Sequence, residues 1–252
     1  MGDTRRDAAA RTRQRLLRAL AGGNPDSNRL QRIKRLVQPA RLYLFMMPNK
    51  PAGGRYAYGR GSTVDRRYIE TFLSNNRELI RGRCLEVGDS RYTNHFGGSH
   101  VQSLDVLDID PTNDKATILG DLQDLRMVED ESYDCVIVTQ VLQYLRDPSA
   151  GVREIRRILA PGGSALVTVP TMAPVDPESD DVQRFMPLGV QNLFAAQFDS
   201  SSTVVRCYGN LLTGLAYWAG LAQEDLPKRA WSDDDAVYPV VITVLASVAP
   251  VQ

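Results

Sequence analysis

From residue 64 onward the chain moves between two hydrophobic rhythms. Val64, Tyr68, Ile69, Phe72, Leu73 and Ile80 recur at the three- and four-residue spacing of a helix face. They predict a helix over 64–80, with Ser62 able to cap it and Asp65 three residues on. Short apolar runs come next at 84–87, 101–109, 116–119 and 134–139. The last, Asp134-Cys135-Val136-Ile137-Val138-Thr139, is almost unbroken, as a strand must be when helices cover both its faces. Asp147-Pro148 sets a proline at a first helical position, and Val152, Ile155, Ile158 and Leu159 give the next helix its buried stripe. Pro161-Gly162-Gly163 is expected to end that helix before a strand at 164–169. Further strands are predicted at 203–208 and 240–245, with a helix at 211–221 between them. Strand after helix after strand predicts an α/β fold: a doubly wound, mostly parallel seven-stranded sheet.

The pattern is different ahead of residue 61. Leu16, Leu17 and Leu20, then Leu30, Ile33 and Leu36, recur among arginines and predict two short amphipathic helices broken at Gly22-Gly23-Asn24-Pro25. Residues 48–61, with Pro51, Gly53, Gly54, Gly59 and Gly61, read as a loop. A chain of 252 residues suits one sizeable domain with an appendage. The expected division is a basic helical N-terminal extension over 1–60 and a main domain over 61–252.

Charge sharpens that division. Residues 1–60 hold 14 of the 30 Lys and Arg but only three of the 30 acids, leaving 16 basic and 27 acidic residues beyond. Clustered arginines can meet nucleic acid phosphates, anionic lipid or an acidic protein face. The acidic body makes the last the least demanding. No Phe, Tyr or Trp falls in 1–41, so the aromatic-interleaved pattern of an RNA-binding arm is missing and nucleic acid is not the expected partner. Cys84, Cys135 and Cys207 lack a CxxC spacing and sit in apolar runs, as reduced core thiols do in the cytoplasm. The apolar run 42–48 is too short to span a bilayer, so no membrane span is expected.

Candidate chemistry gathers at the predicted strand ends, where ligands bind in a doubly wound sheet. The first strand ends in Glu86-Val87-Gly88, and a glycine there lets backbone approach a ligand while the next helix start offers N–H groups. The dinucleotide fingerprint would need glycine at 90 and 93, where Ser90 and Thr93 stand. His95 is near this corner and could act as a base, although a polar surface role is the simpler reading. Tyr144 could orient a substrate hydroxyl or simply pack its ring. No Ser-His-Asp or metal-ligating constellation is discernible.

Glu86-Val87-Gly88, with Gly120-Asp121-Leu122, Tyr133-Asp134-Cys135-Val136-Ile137 and Arg157-Ile158-Leu159-Ala160-Pro161-Gly162-Gly163 downstream, resembles the class I S-adenosylmethionine-dependent methyltransferases, of the methyltransferase-11-like kind and Rossmann-like in fold. The resemblance covers roughly residues 65–170. Residues 60–70 and Tyr208-Gly209-Asn210 resemble a bacterial subgroup placed beside sugar- and polysaccharide-modifying enzymes.

The resemblance implies S-adenosyl-L-methionine as the cofactor, and with it a role for each matching residue. Glu86, Gly88, Asp89 and Ser90 would border its methionine end. A strand-two acid would hold the ribose hydroxyls: Asp108 is at about the right distance, with Asp110 and Asp105 as rivals. Asp121 would accept from the adenine amine while the Leu122 N–H faces the ring, and Thr139 and Gln140 would lie beneath the methyl group. Ser90 and Tyr92 replace the usual glycines, almost no room is left for a helix between strands two and three, and Gln143-Tyr144 stand where many relatives carry Glu-His.

The expected function is methyl transfer from S-adenosylmethionine to a small-molecule or glycosidic (sugar) acceptor, at oxygen. Residues 171–198 and the helix 211–221 would shape the acceptor pocket, with Tyr217 and Trp218 in it or in the core. The departures and the basic arm leave two alternatives: a methyltransferase-like scaffold that no longer catalyses, and an RNA methyltransferase using residues 1–40.

Overall fold

The computed structural model describes residues 49–52, 57 and 60–250. These belong almost entirely to the unit Pro51–Gln252. The two helices expected within 16–36, the basic arm and most of the 48–61 loop lie outside the described residues.

Seven strands form one sheet: β1 (Gly82–Val87), β2 (Val101–Asp108), β3 (Ile118–Leu119), β4 (Tyr133–Thr139), β5 (Leu159–Pro170), β6 (Thr203–Tyr208) and β7 (Val241–Ser247). Their order is β3-β2-β1-β4-β5-β7-β6. The first four neighbouring pairs are parallel, whereas β7 runs antiparallel to both β5 and β6. The expected doubly wound, mostly parallel seven-stranded sheet is the one observed. Because side chains on a strand alternate between faces, β4 feeds two cores at once. Cys135 and Ile137 join Cys84 and Leu166 under helices α1 (Val64–Asn75) and α4 (Leu211–Trp218). Val136 and Val138 join Leu85 and Val167 under α2 (Pro148–Ile158) and α3 (Pro187–Ala195), and so does Tyr133, because the register shifts between Tyr133 and Cys135. Each fully buried Leu or Ile here contributes about 1.5–3 kcal/mol by leaving water.

Several local readings are corrected. Helix α1 stops at Asn75, not Ile80: Asn76 leaves helical geometry (φ −118°) and its Nδ2 donates to Phe72 O at 2.8 Å. Arg77–Leu79 then form a 3₁₀ turn, and Ile80 is buried all the same. The cap position is held by Thr63, without a side-chain capping bond, while the Ser62 N–H donates to Glu224 Oε2 at 3.1 Å. Helix α2 ends at Ile158, and Pro161-Gly162-Gly163 lies within the long strand β5, where Gly162 takes φ +80°. Asp147 caps α2 as its sequence predicts, its Oδ1 accepting from the N–H groups of Ser149 and Ala150.

The connection from β1 to β2 holds no α-helix beyond a single turn at 91–92, continued by π-type winding over Thr93–Gly97. The chain closes so tightly there that a Cβ on Gly97 would come within 2.4 Å of Val101 Cγ2. Residues 109–117, between β2 and β3, are turns. Segments distant in sequence meet at the start of α1: Thr63 bridges Ala222, Gln223 Nε2 donates to Thr63 O at 2.8 Å, and Tyr68 OH donates to Thr213 Oγ1 at 3.0 Å.

Candidate functional site

The carboxyl ends of β1, β2 and β4 lie side by side at the middle of the sheet. Glu86 is level with Val106 on one side and with Ile137 on the other, so Gly88, Asp108 and Thr139 come to neighbouring tips. Gly88 takes φ +85°, and nothing lies within 4 Å of where its Cβ would be. Its N–H donates to Leu107 O at 2.8 Å, which leaves the outer face of the turn open to a ligand. Tyr92 does not cross that face; it stacks on Phe96 and packs with it against the α1-side core.

Glu86 is 1 % exposed and turned inward. Its Oε1 accepts from the Tyr92 N–H at 3.1 Å and its Oε2 from the Thr93 N–H at 2.7 Å. The N–H groups that sequence offered to a ligand at this corner are thus taken by Glu86 itself. Burial pushes its carboxyl up from the usual range, opposed by the two N–H donors. Glu86 therefore shapes the turn, with both oxygens spent on it.

Asp108, the last residue of β2, is half-buried. Its Oδ1 accepts from the Asp110 N–H at 2.9 Å and its Oδ2 from Asn113 Nδ2 at 2.6 Å. Asn113 also reaches Gly88 O at 2.9 Å and so ties the β1 and β2 tips together. Asp110 is exposed and closed on Thr112. Asp105 lies further back in β2, bound to Thr117 Oγ1 and to the Tyr133 hydroxyl at 2.8 and 2.9 Å. Of the three rivals, Asp108 alone presents its carboxylate at the strand tip. Asp89 is partly buried, which would raise its carboxyl, but the Ser90 N–H and Lys115 outweigh this and hold it below the usual range.

Gly120 donates to Asp108 O at 2.9 Å, placing Asp121 next to the β2 tip. The Asp121 carboxylate accepts from Gln123, through its backbone N–H at 2.9 Å and through Nε2. Leu122 is buried at 3 % exposure. Beyond β4, Gln140 adopts φ +56°, a left-handed conformation that costs a non-glycine residue about 1–2 kcal/mol. It is held there by its N–H to Thr168 O at 2.9 Å and by Gln143 Nε2 to its own carbonyl at 2.8 Å.

Gln140 and Gln143 open onto a cleft of about 240 Å³. Tyr144 lines it, as do residues within 171–198 and Tyr217 of α4, while Trp218 is 52 % exposed on the outside. Asp65 and Arg66 of α1 form the facing wall. Burial pushes the Asp65 carboxyl up, with Thr63 as the main opposing hydrogen bond. From sequence Asp65 has only a capping role; an acid at the start of a helix carries no local sign that it faces a cleft. His95 is exposed on the π-type turn, edge-on to Phe96, and does not line the cleft. A cavity of about 420 Å³ lies at the amino ends of β1 and β4, the end away from these tips.

Residues 87–167 match the methyltransferase domain family. No curated protein sequence matches the chain significantly. Among solved structures, a putative sarcosine dimethylglycine methyltransferase from Galdieria sulphuraria superposes with TM-score 0.51 at 16 % identity, over 83 % of this chain and 97 % of its own. A SAM-dependent methyltransferase from Archaeoglobus fulgidus gives TM-score 0.50 at 12 % identity, over 72 % and 94 %. The [4+2]-cyclase SpnF gives TM-score 0.50 at 16 % identity, over 87 % and 95 %. The chain thus has the class I methyltransferase fold, and its segment 87–167, from the tip of β1 into β5, matches the methyltransferase domain family.

Proposed function

We propose that this chain is an S-adenosylmethionine-dependent methyltransferase that methylates a small hydroxyl-bearing acceptor, such as a glycoside, at oxygen. A fold shared with a cyclase does not decide the reaction, so the reading rests on the site. One observation carries it: the open, left-handed Gly88 beside the Asp108 carboxylate, at the carboxyl ends of adjoining central strands. Those residues fit the cofactor. Gly88 lets backbone come close, Asp108 has two oxygens for a pair of ribose hydroxyls, and Asp121 is at the next tip. When bound, the cofactor supplies an electrophilic methyl group on a sulfonium.

This chain would then supply position. Glu86 fixes the β1 turn, Asn113 holds the β1 and β2 tips together, and Gln140 forms the floor shared by the cofactor end and the cleft. Holding the acceptor oxygen close and in line can contribute about 7–11 kcal/mol of the barrier reduction. The sugar-modifying subgroup finds no support among the comparisons, so the acceptor class rests on the cleft.

Calorimetry with S-adenosylhomocysteine tests the reading. Saturable binding that weakens in Asp108→Ala is expected, and no heat at millimolar ligand would sink it. A second reading, a methyltransferase-like binding protein without turnover, is favoured by one feature: the Asp108 and Asp121 carboxylates already accept from Asn113 and Gln123. Absent heat would select it. The RNA-modifying alternative rests on residues 1–40, outside the described residues.

A further inference from the structure

Three carboxylates line the 240 Å³ cleft: Asp65, Asp176 and Asp181. Two have their oxygens engaged. Asp181 pairs with Arg184 through both oxygens and also accepts from the Asp176 N–H at 3.0 Å. Asp176 accepts from the Glu178 N–H at 3.1 Å and from Ser179 Oγ at 3.2 Å. Asp65 is different: its Oδ1 is buried and has no hydrogen-bond donor.

A second orphan lines the same cleft. Gln143 is 5 % exposed, and its Nε2 is committed to Gln140 O, which leaves Oε1 buried without a donor. An unsatisfied buried acceptor costs about 1–3 kcal/mol, and native proteins keep few of them. Two such acceptors lining one cleft, next to the strained Gln140 turn, describe a place prepared for a ligand that brings hydrogen-bond donors.

We propose that Asp65 is the catalytic base of this site and that the cleft takes an acceptor carrying two neighbouring donors, a vicinal diol or an amino alcohol, one held by Gln143 Oε1 and the other deprotonated by Asp65 Oδ1. The proposal rests on the methyl-transfer reading. As the acceptor oxygen bonds to the methyl carbon, the electron pair of the carbon–sulfur bond returns to sulfur. The acceptor's proton passes to Asp65 Oδ1 and then to solvent. The charged and titratable groups around Asp65 are Arg66 on its own helix, Tyr92 between β1 and β2, Tyr144 beyond β4, Asp176, Asp181 and Arg184 between β5 and α3, and Tyr217 on α4. Burial raises the Asp65 carboxyl, which makes it a stronger base than an exposed aspartate.

A carboxyl raised in the folded state contributes stability at low pH that is lost as pH climbs through its folded pKa. Asparagine has nothing to lose, so Asp65→Asn should melt about 2–4 °C above the parent at pH 8, the difference vanishing only below about pH 4, where the unfolded carboxyl is protonated as well. Binding of S-adenosylhomocysteine by calorimetry should stay within twofold. In amide NMR spectra of the full chain, myo-inositol or Tris should shift signals of residues 63–66 and 140–144, and acetate should not. Inositol alone would identify a polyol acceptor and Tris alone an amino alcohol. An Asp65→Asn protein no more stable than the parent at any pH, or acetate shifting those signals in place of both donors, overturns the assignment while leaving the methyl-transfer reading intact. Failure of the parent chain to bind S-adenosylhomocysteine removes both.

Discussion

The backbone N–H of Thr93 and the carboxylate of Glu86, seven residues apart, meet at 2.7 Å, and Tyr92 binds the other Glu86 oxygen. A buried strand residue thereby does the work of a helix cap. Glutamine at 86 would keep one acceptor and turn an NH₂ toward a buried N–H. Glu86→Gln should therefore lose about 1–3 kcal/mol in urea unfolding. A Glu86 whose only task was to touch a ligand would leave stability unchanged.

Asp108, Asp110 and Asp105 separate cleanly. Asp108→Ala should weaken S-adenosylhomocysteine binding by about 10–100-fold, the loss of a charge-assisted hydrogen-bond pair. Asp110→Ala, altering an exposed turn closed on Thr112, should leave affinity within twofold. Asp105→Asn should act on stability, by about 1 kcal/mol, through Tyr133 and Thr117. Equal affinity losses at 108 and 110 would contradict this division.

Two glycines nearby should fail in different ways. Gly97→Ala meets Val101, Ile80 and the Ile80 carbonyl, and should cost about 1–3 kcal/mol of stability by overpacking. At Gly88 there is space but φ is +85°, so Gly88→Ala should cost about 1–2 kcal/mol of backbone strain. Its larger effect should fall on cofactor affinity, since the new methyl projects from the open face. Thermal melts paired with calorimetry distinguish the two.

Arg157 fastens the helix-free stretch between β3 and β4. Its Nη2 donates to Leu125 O and Glu154 Oε2, and its Nη1 to Val128 O, each at 2.8 Å. Lysine keeps the charge but lacks the planar fork that serves several acceptors together. Arg157→Lys should cost about 2–4 kcal/mol, for about three bonds, two of them to buried carbonyls. Faster amide hydrogen exchange across residues 121–131 would show where the loss falls.

What was legible in the sequence was local. The nearly continuous burial of β4, the Asp147-Pro148 cap and the apolar stripe of α2 each depend on neighbours a few residues away, and all appear where the pattern puts them. Asp65 was not legible as a cleft residue, because Ser62 and Asp65 look like a helix start. The Ser62 N–H is instead held by Glu224, 162 residues away, a distance no local pattern encodes. The start of the helical winding after β1 has a similar origin: its Tyr92 and Thr93 N–H groups have a tertiary partner in Glu86. Gln143 illustrates a different blindness. In sequence it reads as the loss of a familiar acid, and only burial shows its oxygen without a donor.

The position of β7 has a consequence for how this molecule comes into being. β6 touches the sheet only through β7, and β7 alone joins it to β5. A nascent chain that has emerged as far as Tyr208 therefore holds five parallel strands and a sixth with nothing to zip onto. The last two strands can enter only together, as a late insertion, and with them come α4 and the segment near Ala222 that closes over Thr63. Protease protection of stalled translation intermediates should consequently arise in two steps, with the wall that carries Tyr217 acquired in the second.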